Sequence, residues 1–204
     1  MSDMSEKNEN NLFWQNDKVS YEDRRGLMGQ EGLVIWFTGL SGAGKSTIAA
    51  EVGRRLHEQG IKTYLLDGDN IRQGINSDLG FSDADRNENI RRIAEIANLF
   101  CDACVVTLVS FISPFTKMRE KARQLIGKDR FIEVYVKADI ATCMERDPKG
   151  LYSKDIDQFT GVGSAYEAPE CPDITLDTEK LSVSEAAAHV VEKINNLRNT
   201  QLSS

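Results

Sequence analysis

The stretch Gly39-Leu40-Ser41-Gly42-Ala43-Gly44-Lys45-Ser46, GLSGAGKS in one-letter code, decides the fold of this chain. It matches the pattern G-x-x-x-x-G-K-[ST] without a mismatch. A continuous apolar run at 33–38 precedes it and predicts a buried strand, and a helical pattern at 45–59 follows it. Glycines in this setting let backbone N–H groups converge on phosphate oxygens, and the start of the helix favours anions. The sequence therefore predicts a phosphate-binding loop rather than a chance glycine turn.

The loop also indicates which side chains handle a nucleotide. Lys45 should reach the β- and γ-phosphates of ATP, and Ser46 should ligate Mg²⁺. We therefore predict ATP and Mg²⁺ as cofactors. The residues assigned to the nucleotide are Gly39, Leu40, Ser41, Gly42, Ala43, Gly44, Lys45, Ser46 and Thr47.

Strands and helices alternate along the chain. The predicted strands are residues 33–38, 62–66, 105–111, 131–136 and 174–176. The predicted helices are 45–59, 83–101, one opened by Pro114, 140–146, and one from Ser182 with Glu185 in a capping box. Such alternation implies a mainly parallel sheet flanked by helices on both faces. The expected fold class is α/β, a three-layer P-loop NTPase fold, with a mobile lid at about 147–168.

Candidate carboxylates follow the second predicted strand, at Asp67 and Asp69. The strand 105–111, where an acid would be usual, runs into residues 110–113 (SFIS) without one. A carboxylate at this edge of the sheet can order the waters of Mg²⁺ or accept a proton from an attacking hydroxyl. This favours a kinase acting on a hydroxyl over a switch or a motor. The alternative is that the acids only cap the next helix, and it is more open for Asp67 than for Asp69.

Length and charge exclude other classes. The chain has 204 residues, 40% of them hydrophobic, which suits one domain at 31–204 after a partly disordered extension at 1–30. A net charge of −7 argues against nucleic acid as a partner. The sequence contains no run of about 18 apolar residues and no apolar signal core, so we expect no membrane span and a cytoplasmic location. Phe13 and Trp14 are expected to dock on the domain or on a second subunit.

Cys101 and Cys104 form a C-x-x-C pair at the start of an apolar run. The nearby sequence has no second cysteine pair and no histidine cluster. We predict two buried, reduced cysteines, and metal or redox chemistry is the alternative.

The segment 67–92, DGDNIRQGINSDLGFSDADRNENIRR, closely resembles the adenylylsulfate (APS) kinases. Further matches are FISP at 111–114, FIEVYV at 131–136, RDPKGLY at 146–152, FTG at 159–161 and YEAP at 166–169. The resemblance covers residues 11 to 198, and together the motifs are highly specific. It is weakest at 153–158, which is shorter and more acidic than the family pattern.

The resemblance implies transfer of the ATP γ-phosphate to the 3′-hydroxyl of adenosine 5′-phosphosulfate (APS), in sulfate activation, by a homodimer. It places Asp69 near the 3′-hydroxyl and the metal. Ser113 is the family's possible phosphoserine intermediate, which direct in-line transfer does not require. The resemblance assigns the substrate as follows: Arg72, Arg86 and Asn89 to the phosphosulfate, Phe81 and Phe159 to the adenine, Ile112 and Ser113 to the substrate loop, and Lys149 to an added cation.

Other interpretations of these residues stay open. Phe81 and Phe159 could belong to the core, Arg91 and Arg92 to a solvated helix face, and Ser113 could cap a helix that begins at Pro114. Two other functions also stay open: another small-molecule kinase with a P-loop, acting on a nucleotide or a sugar acid, and a partner subunit that binds nucleotide but turns over poorly.

Overall fold

Five parallel strands form the sheet at the centre of the chain. The computed structural model describes residues 13, 15, 17–147, 150, 152 and 165–202. Within them the strands are β1 (Leu33–Thr38), β2 (Thr63–Asp67), β3 (Val106–Ser110), β4 (Phe131–Lys137) and β5 (Ile174–Asp177). Their order is β2-β3-β1-β4-β5, and each pairing is parallel. The apolar run of β1 is buried throughout because this strand lies in the middle of the sheet.

Helices cover both faces of the sheet. They are α1 (Tyr21–Met28), α2 (Lys45–Glu58), α3 (Gly68–Gln73), α4 (Asp83–Asp102), α5 (Thr116–Ile126), α6 (Ile140–Arg146) and α7 (Val183–Leu202), with a short 3-10 turn at Lys128–Arg130. Alternate residues of β1 point to opposite faces and enter two separate apolar clusters. One cluster joins Ile35 to α2 and α7, and the other joins Trp36 to α4 and α5. The predicted three-layer α/β architecture is therefore confirmed.

Two helix starts test the sequence prediction directly. Ser182 and Glu185 form the predicted hydrogen bonds ahead of α7. The helix after β3, in contrast, begins at Thr116 with Phe115 as its N-cap residue, so the prediction that Pro114 opens it is wrong. The alternative that Ser113 caps this helix is wrong for the same reason.

Two further helices, α1 and α3, were not predicted. Ser20 and Asp23 form a capping box at the start of α1, and Gly29 ends it in the left-handed region at φ 64°. Asp67 is the N-cap residue of α3, and its side chain accepts a hydrogen bond from Asp69 N. The alternative that Asp67 caps the next helix therefore describes part of its role.

The C-x-x-C cysteines are buried, as predicted. Cys101 and Cys104 have no exposed surface, and burial raises the pKa of Cys101 to about 11. The described part of the chain contains no group of His, Cys, Asp and Glu side chains that could hold a metal ion. None of its helices combines the length and the apolar character needed to cross a membrane.

The extension at 1–30 is described only in part. Phe13 is 83% exposed, so it does not dock on the domain, and docking on a second subunit stays a prediction. Trp14, Lys149, Phe159 and most of the predicted lid lie outside the described residues.

Candidate active site

The phosphate-binding loop joins the end of β1 to the start of α2, as predicted. Gly39, Gly42 and Gly44 have φ values of 149°, 80° and 103°, which L side chains rarely adopt. A Cβ atom at Gly39 would lie 2.3 Å from Val136 O, and one at Gly42 would lie 2.8 Å from Cys143 O. Only glycine therefore fits at these two positions, and the backbone amides at the start of α2 face the loop.

Lys45 is the first residue of α2, and its side chain folds into the loop. It is 8% exposed, and its Nζ donates to Gly39 O at 2.9 Å and to Leu40 O at 2.7 Å. The ammonium charge consequently sits inside the curve of the loop, where it can meet the phosphates of a nucleotide.

Ser46 contacts the carboxyl ends of two neighbouring strands, β2 and β3. Its Oγ donates to Asp67 Oδ2 at 2.6 Å and lies 3.0 Å from Ser110 Oγ. A carboxylate and two hydroxyls are hard oxygen ligands, which fit Mg²⁺. The carboxylate in contact with Ser46 belongs to Asp67 and not to Asp69, the acid that was predicted to bind the metal. Asp69 is exposed, in the first turn of α3.

Two arginines and an exposed aromatic ring lie together at the far end of α3: Arg72 in its last turn, Arg86 in α4, and Phe81 between the two helices. Arg72 Cζ stands 4.4 Å from the centre of the Phe81 ring, and Arg86 Nε donates to Phe81 O at 2.8 Å. Burial lowers the pKa of both guanidinium groups, and the charge of Arg86 lowers that of Arg72 further. Two like charges that have lost water attract an anion that can bind between them.

Phe81 is 61% exposed, so the alternative that it belongs to the core is wrong. Its ring contacts Arg72 and leaves most of its surface open to a planar partner.

Asn89 and the loop after β3 complete the described set of predicted substrate residues. Asn89 is buried, and its Oδ1 accepts a hydrogen bond from Asn76 Nδ2 at 2.8 Å. Ile112 O accepts from Thr38 Oγ1 at 2.7 Å. Because Thr38 directly precedes Gly39, this loop lies at the base of the phosphate-binding loop.

A family model described as adenylylsulphate kinase matches residues 31–177, which hold the phosphate-binding loop, both acids and the arginine pair. This chain belongs to the adenylylsulphate kinase family.

Curated relatives within the family align along most of their length. An adenylyl-sulfate kinase of Clostridium acetobutylicum is 49% identical over 193 residues, covering 93% of this chain and 96% of the relative. One of Citrobacter koseri is 55% identical over 175 residues, covering 84% of this chain and 87% of the relative. The solved structure of the Mycobacterium tuberculosis APS kinase in complex with AMPPNP and APS superposes with a TM-score of 0.78 at 44% identity, covering 81% of this chain and 99% of that one.

Two arginines of the segment that resembles the family, Arg91 and Arg92, form ion pairs with neighbouring acids. Arg91 pairs with Glu88 at 2.8 Å, and Arg92 pairs with Asp78 at 2.7 Å and with Glu88 at 2.9 Å. The Arg91 side chain is 58% exposed, so the solvated-face interpretation is confirmed for Arg91. The Arg92 side chain is only 29% exposed, and its pair with Asp78 ties α4 to the segment that precedes the helix.

Three residues near the site received no role from the sequence. Tyr152 Oη donates to Ser41 O at 2.9 Å, and Tyr166 Oη lies 3.1 Å from Thr38 Oγ1. Both tyrosines belong to motifs that match the adenylylsulphate kinases, so the matches could have singled them out. Arg119, buried beside Tyr166, lies outside every quoted motif, and no sequence signal pointed to it.

Proposed function

We propose that this protein transfers the γ-phosphate of ATP to the 3′-hydroxyl of adenosine 5′-phosphosulfate, giving 3′-phosphoadenosine 5′-phosphosulfate and ADP, in sulfate assimilation. The observation that carries the proposal is the placement of α3. Its N-cap residue Asp67 touches Ser46 of the phosphate-binding loop, and Arg72 near its other end stacks on Phe81. A helix of six residues is about 9 Å long. One short element thus joins a nucleotide-phosphate site to a second site suited to an anion with an aromatic base.

The two sites divide the substrates between them. The amides of the phosphate-binding loop and Lys45 hold the ATP phosphates, and Ser46 and Asp67 hold Mg²⁺, which neutralises charge on the phosphate oxygens. Arg72 and Arg86 bind the phosphosulfate, because their charges and their N–H forks suit its oxygens.

Phe81 stacks on the adenine of APS, an interaction worth about 1–3 kcal/mol per base. Asn89 binds the same substrate through its amide, and the loop at Ile112 and Ser113 lines it. Asp69, in the first turn of α3 between the two sites, accepts the proton of the attacking hydroxyl or orders the waters of the metal. Lys149 and Phe159 retain the substrate roles that the resemblance gave them, as part of this proposal.

Ser113 contributes to the shape of the site rather than to a phosphoserine intermediate. Its side chain is 1% exposed, and its Oγ accepts a hydrogen bond from Trp36 Nε1 at 3.0 Å. A hydroxyl that is buried and bonded in this way is a poor phosphate acceptor, so we propose direct in-line transfer.

The subunit is proposed to act as a cytoplasmic homodimer. β2 forms an outer edge of the sheet, where the half-exposed Tyr64 stacks on Phe100 at 5.0 Å between ring centres, beside Leu99, which is 69% exposed. An apolar patch of this kind suits a second copy of the chain. The cysteines are all free thiols, which suits a reducing compartment. Sedimentation of the purified protein and cell fractionation test the two statements.

A coupled assay tests the reaction. ADP release is followed with ATP and Mg²⁺, with and without APS, and the product is identified by chromatography and mass spectrometry. We expect ADP release to require APS and one phosphate to be added at the 3′-position. Gluconate and nucleoside monophosphates serve as control acceptors. Faster turnover with either of them, or no turnover with APS, would contradict the proposal and favour the other kinase or the inactive subunit.

A further inference from the structure

Arg119, near the start of α5, binds two segments that are far apart in sequence. The residue is 3% exposed. Its Nη1 donates to Ser113 O at 2.8 Å, and its Nη2 donates to Glu167 O at 2.8 Å. Its Nε donates to Glu133 Oε1 at 2.7 Å, and Nη2 also lies 3.2 Å from Thr116 Oγ1. A planar guanidinium can make these bonds at once, whereas an ammonium group cannot span the same set.

The two segments are the post-β3 loop (residues 111–115) and the return segment (residues 165–169). They also bind each other, because Glu167 N donates to Pro114 O at 2.8 Å. Glu167 Oε2 in turn accepts a hydrogen bond from Thr116 N, at the start of α5, at 2.7 Å. The guanidinium of Arg119 therefore adds two hydrogen bonds to a pair of segments that a backbone hydrogen bond already joins.

Both segments rest on Thr38, the residue before the phosphate-binding loop. Thr38 Oγ1 donates to Ile112 O at 2.7 Å and lies 3.1 Å from Tyr166 Oη. The Cζ atom of Arg119 is 5.9 Å from the centre of the Tyr166 ring. Thr38, the last residue of β1, is therefore the point at which both segments are attached to the sheet.

The backbone of the post-β3 loop needs such support. Ser113 has φ 40°, a left-handed conformation that is unfavourable for a residue other than glycine. Strained residues persist only where their surroundings hold them. Trp36 Nε1 holds the Ser113 hydroxyl, and Arg119 holds its carbonyl oxygen.

Stability alone is a weak reason to keep the Arg119–Glu133 pair. Removing two charges from water costs much of what their attraction returns, and apolar replacements of buried ion pairs are often neutral or stabilising. The contacts of Arg119 with two segments at the site offer a better reason.

We propose that Arg119 is a positioning residue of the phosphotransfer reaction: its guanidinium fixes the post-β3 loop and the return segment against Thr38. This gives Ile112 and Ser113 the geometry in which they meet the acceptor substrate. The inference rests on the proposed function, because the post-β3 loop is assigned to the APS side of the site.

Three variants and the parent test the role of Arg119. Arg119→Lys keeps the charge beside Glu133 but loses the fork. Arg119→Met combined with Glu133→Leu removes the ion pair and keeps an apolar interior. Arg123→Lys is the matched control, because Arg123 lies one turn further along α5 and reaches the other oxygen of Glu133 at 3.6 Å and Asp173 at 2.6 Å, but bonds neither segment.

Arg119→Lys and the double variant should raise the KM for APS about tenfold or more, because small misplacements at a reacting centre are costly. ADP affinity should stay at the parental value. Hydrogen exchange in residues 111–116 and 165–169 should become faster. Arg123→Lys should change none of these quantities.

Parental KM and parental exchange in Arg119→Lys would overturn the inference, as would a parental KM in a double variant that is as stable as the parent. A parent without APS-dependent turnover would overturn the proposed function instead. Hydrogen exchange would still decide in that case whether Arg119 holds the two segments, because it needs no substrate.

Discussion

The hydroxyl of Ser46 donates to Asp67 Oδ2 over 2.6 Å, which joins the phosphate-binding loop to the residue that caps α3. The pairing assigns Asp67 two tasks. One carboxylate oxygen meets the serine at the nucleotide site, while the other accepts a hydrogen bond from Asp69 N at the start of the helix. The two tasks can be separated experimentally, because asparagine caps helices about as well as aspartate does.

Asp67→Asn should therefore leave folding intact and weaken the response to Mg²⁺. Loss of the negative charge removes a ligand suited to the metal, so half-saturation should need about ten to a hundred times more Mg²⁺. Steady-state rates over a Mg²⁺ titration measure this, with thermal unfolding as the check on the helix cap. Asp69→Asn is the comparison, and it should lower kcat at saturating Mg²⁺. Identical Mg²⁺ titrations for parent and Asp67→Asn would show that Asp67 acts only as a cap.

Lys45→Ala should lower kcat by at least about a hundredfold, because a cation is removed from the γ-phosphate where charge develops during transfer. The fold should persist, since the loop keeps its glycines and α2 keeps a good helix former at its first position. Lys62→Ala is a matched control: Lys62 is exposed and bonds Met28 O at 2.8 Å. Turnover by Lys45→Ala within about tenfold of the parent would be at odds with the assigned role.

Phe81→Ala should weaken APS binding and leave ATP binding unchanged. The ring is 61% exposed, so its loss should hardly affect stability, whereas lost stacking of about 1–3 kcal/mol corresponds to roughly a fivefold to 150-fold increase in Kd. Calorimetric titration with each nucleotide gives both affinities. Leu27→Ala, at an 89% exposed position on α1, controls for the loss of an exposed apolar side chain. A larger loss of ATP affinity than of APS affinity would place the ring at the other nucleotide.

The four cysteines should differ sharply in reactivity. Cys171 is exposed, whereas Cys101, Cys104 and Cys143 are buried, and burial raises the pKa of each of these three thiols. A raised pKa keeps the three buried thiols protonated and unreactive at pH 8. A thiol reagent should therefore modify only the exposed Cys171 quickly in the native protein. The other three should react only after unfolding. Rapid modification of two or more thiols in native protein would contradict this burial, and Cys171→Ser should abolish the fast phase.

The sequence was informative wherever a local pattern corresponds to a local structure. The glycine spacing at 39–44 reflects backbone conformations that only glycine adopts easily, and the buried central strand needs apolar residues on both faces. α3 was missed because six residues show too little periodicity, and its start depends on the Asp67 cap. Arg119 was missed because its role depends on residues 14 and 48 positions away, at Glu133 and Glu167, which the fold brings together.

α3 also sets the distance between the two parts of the candidate site. Its first residue follows the acid beside Ser46, and its last turn carries the guanidinium that stacks on Phe81, so the separation of the two ends is set by helical geometry rather than by a loop. Inserting one residue would turn Arg72 by about 100° around the helix axis and advance it by about 1.5 Å. The distance between the two ends is therefore fixed, and movement of a flexible linker could not adapt the site to an acceptor of a different length. A change in the number of residues between Asp67, the proposed metal carboxylate, and Arg72, the proposed anion-binding arginine, is the alteration expected in any relative that phosphorylates a shorter or longer molecule.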